Sequence, residues 1–322
     1  MLSLALAASA LAITVVSAWR RSGSKLNGRS VSTSGGSRSG AYLSLSMRTT
    51  AESLQRRAIA TRIVEVFDRH APPRAILIAG SAGAGSADEY SDLDLIAYYD
   101  RLPDPIEVEA WRADLGVPEP VPMQDSGWSD TFTLSGVECQ AGGMVVAAVD
   151  GYVNDLLAGR EAESAVHQKI AEGILDGLAV RDDGLIATWR ARLAEFPDAL
   201  AEAMAEYHLR IFPYWSAWEH MAHRDARLWE VQSLLDGALH IVGAVSAANR
   251  SYFTSFQFKR MRQHLVGLDA APANLAERLE SLFELDRAAA AHELRTLVAE
   301  MVEVVERQLP RVNTTTIRKR LE

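Results

Sequence analysis

Two carboxylates stand two residues apart in Asp92-Leu93-Asp94-Leu95, at the head of the run Asp92–Tyr99. On an extended chain neighbouring side chains take opposite faces, so Asp92 and Asp94 share one face and Leu93 and Leu95 the other. Roughly 7 Å of strand separates the two acids, close enough for their charges to repel. A divalent cation relieves that conflict, because Mg²⁺ takes one or two carboxylates and completes its shell with phosphate oxygens and water. Ahead of the acids lies Gly80-Ser81-Ala82-Gly83-Ala84-Gly85-Ser86, a turn of small residues whose backbone can come close to a phosphate. The chemistry these residues suit is the binding of a metal-chelated triphosphate.

The flanking sequence predicts the elements that must hold them. From Ala51 to His70, the apolar residues Leu54, Ala58, Ile59, Ile63, Val66 and Phe67 recur mostly at three- and four-residue steps with arginines and glutamates in the gaps, an amphipathic helix. Pro72-Pro73 stops it, and Ala75–Ala79 is a continuous apolar run suited to a strand buried on both faces. Beyond a proline-rich stretch, Pro103–Met123, with one short helical piece around Trp111, Thr131–Gln140 and Met144–Val149 read as two further strands. Helices are predicted near 151–158 and 168–178. Leu178–Leu185 reads as a short strand running into an Asp-Gly turn.

An apolar strand, Gly80-Ser81, about ten residues and then Asp-hydrophobic-Asp-hydrophobic resembles the signature of the DNA polymerase β-like nucleotidyltransferase superfamily. Either half of the pattern is common alone; the order and strand context make it distinctive. The resemblance implies that Gly80 and Ser81 hold a triphosphate, that Asp92 and Asp94 bind Mg²⁺, and that a third carboxylate on a neighbouring strand completes a two-metal site. The implied reaction is in-line attack of a hydroxyl on the α-phosphorus of a nucleoside triphosphate, with pyrophosphate leaving. Val137-Glu138-Cys139 fits the hydrophobic-acid-hydrophobic triplet expected around the third acid, which makes Glu138 the expected metal ligand or general base. Glu138 and Gln140 share a strand face, however, and a register one pair later puts the uncharged Gln140 in that place.

The C-terminal part reads as helical throughout, with runs at Ile186–Glu195, Pro197–Ile211, Trp215–His223, Leu228–Ala248, Phe256–Val266, Asn274–Leu285 and Ala288–Leu309. The expected fold class is therefore α+β: a small mixed-sheet nucleotidyltransferase core over 47–187, flanked by helices, then an all-α bundle over 188–322. This resembles the bacterial antibiotic nucleotidyltransferases, in which an acceptor binds between core and bundle. If the helix ending near Ala248 continues, Asn249, Tyr252 and Lys259 share one face, and the resemblance gives such a lysine, with Tyr252 beside it, a role at the nucleotide. Glu219, His220, His223, Arg224, Asp225 and Trp229, beside Tyr214, Trp215 and Trp218, form a polar and aromatic cluster suited either to an acceptor or to a helix core.

Of 322 residues, 33 are basic and 42 acidic, for a formal charge of −9. Residues 1–46 carry five basic residues and no acid, so the remainder carries −14. A body this acidic argues against nucleic acid as a partner. The single cysteine, Cys139, excludes an intramolecular disulfide and a Cys-rich zinc site. Leu2–Ala18 is apolar and is followed by basic residues and a serine-rich stretch. It reads either as an anchor leaving the body in the cytoplasm or as an extension ahead of a true start at Met47, and a cytoplasmic protein is expected. The expected activity is Mg²⁺-dependent transfer of a nucleoside monophosphate, from ATP, to a small-molecule hydroxyl. Its alternatives are nucleotidylation of a protein or RNA end, and an inactive nucleotide-binding module.

Overall fold

A computed structural model describes residues 49–117, 123–124 and 127–322. The expectations for residues 1–46 fall outside this range. The fold class is α+β, as expected, and the chain divides into two compact units.

The first unit comprises the described residues up to Val149 together with Asp176–Ala187. Its sheet is built from β1 (Ala75–Ile78), β2 (Leu93–Tyr99), β3 (Met123–Gln124), β4 (Gly127–Leu134), β5 (Val137–Val145) and β6 (Leu178–Asp182), in the order β3-β4-β5-β2-β1-β6. The neighbours are antiparallel except β2 and β5, which run parallel. Helices α1 (Ala51–His70) and α3 (Pro105–Leu115) supply the core on one side of this sheet. Leu93, Leu95 and Ala97 of β2 pack there with Val137, Cys139 and Ala141 of β5. Phe67 stands edge-on to both Trp111 and Trp128, at 5.1 and 5.9 Å between ring centroids, the arrangement that aromatic quadrupoles favour. Burying this face leaves Asp92, Asp94, Glu138 and Gln140 together on the other, because strand side chains alternate.

Short α2 (Gly80–Ala84) forms a single helical turn where a glycine-rich loop is expected. The expected strand Thr131–Gln140 is instead the end of one strand and the start of the next. Ser135 and Gly136 both have positive φ, 54° and 78°, the two-residue turn whose twist matches that of a hairpin. β5 then runs unbroken through Gly142-Gly143. A β-carbon on Gly143 would collide with the Trp128 indole lying over it, so the glycine fills a packing need rather than ending the strand. Val146–Val149, expected to be extended, instead begins helix α4 (Val146–Leu157).

The second unit holds Asp150–Leu175 and Thr188–Glu322. It contains most of α4, of α5 (Ala165–Asp176) and of α6 (Leu185–Ala194), and α7 (Asp198–His208), α8 (Tyr214–Ala222), α9 (Arg227–Ala248), α10 (Met261–Val266), α11 (Leu275–Ser281), α12 (Arg287–Gln308) and α13 (Thr315–Leu321). α9 is its centre and packs on α7, α8 and α12. It is long and apolar enough to cross a membrane, yet most of its apolar stretch is buried inside the unit, as in a core helix. Gly237 lets Leu294 of α12 approach: a β-carbon there would lie 2.9 Å from its Cδ1.

Two helical predictions change. Phe256–Val266 is a 3-10 turn, Ser255–Arg260, followed by α10, with Thr254 and Gln257 capping each other at its start. α9 ends at Ala248, where Asn249 turns its amide back to Val245 O and across to Ala270 O, at 2.7 and 2.8 Å. Side-chain bonds of this kind compete with helix continuation, so Asn249, Tyr252 and Lys259 do not share one helical face.

Candidate functional site

The site is built on β2 and the loop before it. Gly80 has φ +59°, a left-handed backbone that favours glycine. A β-carbon there would also lie 2.5 Å from Asp94 Oδ2. The Asp94 carboxylate therefore rests directly against the Gly80 turn, and the backbone hydrogen bond from Ala79 N to Asp94 O, 2.9 Å, fixes that approach. Gly80 is exposed and Ser81 half-buried, so the turn beside Asp94 is reached by solvent.

The parallel pairing of β2 and β5 decides which residues join the acids. Asp94 is level with Gln140, and Leu93 with Cys139. Gln140 is buried and donates from Nε2 to Asp92 Oδ2 at 3.1 Å and to Glu138 Oε1 at 3.5 Å. An amide oxygen turned toward two carboxylates would be repelled, so the nitrogen is the group that faces them. Glu138 is exposed on the same face, and both residues flagged for the third position thus reach the site, tied to each other. On β4, Thr131 pairs with Gln140 and Thr133 with Glu138, which keeps this face of the sheet polar. Cys139 points the other way into the core, where burial pushes its thiol up to about 11; it is no nucleophile at neutral pH.

Further residues that position the site are on α1, among the arginines that fill the gaps in its apolar pattern. Arg56 is buried. Its Nε donates to Ser91 O at 2.8 Å, and its Nη2 donates to the same oxygen, immediately before Asp92. Arg57, next along, donates to Ala82 O at 3.1 Å and Gly83 O at 2.8 Å, binding the open carbonyls of α2. Ser53 Oγ accepts from Ala87 N at 2.9 Å, and Thr50 donates to Ala87 O at 2.8 Å while capping α1. Four polar residues at the start of one helix thus hold the 80–92 segment near both ends and at its middle. A polar residue inside the apolar stripe is the one sequence signal of this arrangement. Ser53 and Arg56, three apart, continue toward Ile59 and Ile63 along the buried side of α1.

Asp92 and Asp94 supply the one or two carboxylates that Mg²⁺ takes, beside a turn open to phosphate oxygens, so these residues fit a single nucleotide-borne Mg²⁺. They do not form the expected three-acid arrangement: among the described residues no three His, Cys, Asp or Glu side chains gather closely enough to hold a metal ion. Tyr252 and Lys259 belong to the other unit. Tyr252 is buried and donates its hydroxyl to Leu193 O at 2.9 Å, and burial raises its phenol well above the usual range. Lys259 is exposed, its ammonium 5.7 Å from the centre of the Phe256 ring. In the predicted aromatic cluster Tyr214 is core, Trp215 donates to Arg320 O at 2.9 Å, and Trp229 packs on Phe212. Glu219, His220, His223, Arg224 and Asp225 are exposed.

No protein-family model and no curated protein matches the chain. Among solved structures, a nucleotidyltransferase-like protein from Exiguobacterium sibiricum 255-15 is similar, with a TM-score of 0.38 and 8% identity over 79% of this chain and 75% of that one. A likeness this distant says nothing by itself about the chemistry.

Proposed function

We propose that this protein is a Mg²⁺-dependent nucleotidyltransferase that moves a nucleoside monophosphate, from ATP, to a hydroxyl of a small molecule. The observation that carries the reading is the seat of the Asp94 carboxylate against Gly80, a carboxylate and a side-chain-free turn at one point. Gly80 and Ser81 would meet the phosphates, and Asp92 and Asp94 would hold the cation. When bound, the metal would neutralise phosphate charge and polarise the α-phosphorus. Glu138, exposed on the same face, is the group to take the acceptor's proton. The new bond joins the acceptor oxygen to the α-phosphorus, the bond from that phosphorus to the bridging oxygen breaks, and pyrophosphate leaves with the electron pair. The acidic body favours a small acceptor over nucleic acid. An NTP and this acceptor are the partners, in the cytoplasm.

A second reading is nucleotide binding without transfer, and the Gln140 amide among the acids favours it. The test is incubation with α-labelled ATP, Mg²⁺ and a small-metabolite extract, following labelled product and pyrophosphate. Loss of turnover by about 100-fold or more in Asp94→Ala is expected. Equal release by both proteins overturns transfer at this site, and nucleotide binding with no product selects the second reading.

A further inference from the structure

We infer that Gln140 is a positioning residue that fixes this site at one divalent cation, by tying Asp92 to Glu138 where a carboxylate would open a second metal position. The inference rests on the nucleotidyltransferase reading and sharpens it.

The register is the first ground. Gln140 is level with Asp94 across the parallel pair, on the face that carries all three acids. Its side chain is buried, so its orientation is set by its neighbours rather than by water. The second ground is chemistry. An amide nitrogen has no lone pair to offer a metal, and its two hydrogens are what reach Asp92 Oδ2 and Glu138 Oε1. Each carboxylate so engaged has one oxygen directed at a neutral donor. The residues beside Gln140 and Glu138 on β4, Thr131 and Thr133, are neutral hydroxyls and add no charge. Asp92, held through one oxygen, and Asp94, seated against Gly80, make a set suited to one nucleotide-borne cation.

Mn²⁺ serves as the probe, counted by electron paramagnetic resonance with the intact chain and a non-hydrolysable α,β-methylene ATP analogue. The wild type is expected to hold a single Mn²⁺ per chain. Gln140→Glu is expected to take up a second one, and Glu138→Gln to keep the first with its affinity lowered by no more than about 10–100-fold, the size of effect expected when an outer-shell partner is lost. A purely structural Gln140 would leave the count of cations unchanged in Gln140→Glu. Two Mn²⁺ in the wild type, a single one in folded Gln140→Glu, or loss of Mn²⁺ in Glu138→Gln each overturns the inference. If Gln140→Glu does not fold, the wild-type count and the exposed Glu138→Gln variant decide it. In those failures Asp94→Ala still abolishes binding and the nucleotidyltransferase reading stands. Absence of any Mn²⁺ from the wild type with the analogue present overturns both.

Discussion

The two units bury polar groups for different ends. In the first, Ser53 and Arg56 are buried on α1 and each bonds one loop, the segment between Gly80 and Asp92. In the second, buried polar residues close bonds within the helical packing. Glu230 takes Arg227 and Arg287 at 3.3 and 3.0 Å, Gln168 joins Ala162 O to Phe253 N, and His208 meets His240 Nδ1 to Nδ1 at 3.3 Å. Buried polar groups are hydrogen-bonded in either case, because an unmade bond in the interior is costly. What differs is the partner. Bonds to the backbone of one loop fix the path of that loop, whereas partners within the helical unit finish a core. Convergence of buried donors on one irregular segment therefore marks a candidate site more sharply than the number of buried polar residues.

Three measurements would break or sharpen this contrast. The largest effect is expected from Arg112→Leu. Arg112 is paired with Asp130 and both side chains are nearly buried, so removing the cation leaves an uncompensated carboxylate in the core. The cost is about 3–5 kcal/mol, read by hydrogen exchange as lost protection of α3, β4 and β5 while α9 and α12 keep theirs. Uniform loss in both units would mean that they unfold as one.

Arg56→Ala comes next. It frees the Ser91 carbonyl of two charge-assisted hydrogen bonds, worth about 2 kcal/mol. Because that carbonyl precedes Asp92, nucleotide affinity is expected to fall by about tenfold or more. An affinity unchanged in the folded variant would make Arg56 a stabiliser with no part in positioning the acids.

The third measurement is acid sensitivity, which belongs to the second unit. Seven of the eight histidines lie there. Burial and the neighbouring His240 hold His208 down at about 3, and burial also lowers His240 and His264. In the unfolded chain each titrates near 6.5. Below that value the unfolded state takes protons that the folded state refuses, so stability is complete above pH 6.5 and falls as pH drops. For His208 alone the slope is about 1.4 kcal/mol per pH unit. Denaturant unfolding between pH 7 and 5 is expected to show that slope diminish in His208→Asn. A slope identical to the wild type would assign the acid sensitivity to other groups.

The local patterns were legible because local rules govern them. The 51–70 periodicity, the apolar 75–79 run and the alternation of Asp92 to Leu95 each appear as an element in the structure, α1, β1 and β2. The α+β class followed from strands giving way to long helix-period runs. What failed were places where a distant residue overrode a local preference. β5 continues through two glycines because Trp128 covers Gly143. Asn249, by bonding Ala270 O, turns the chain out of α9 and away from the face it was expected to share with Tyr252 and Lys259.

By itself, then, the sequence determined that Asp92 and Asp94 share a face and that a small-residue turn precedes them, since strand alternation and glycine freedom are properties of a few consecutive residues. Only the tertiary structure decided that Gln140 lies level with Asp94 and between Asp92 and Glu138, and that arginines on α1 hold the loop. Pairing register and the reach of a side chain to a carbonyl far along the chain depend on how whole elements dock, and no spacing within one segment encodes that.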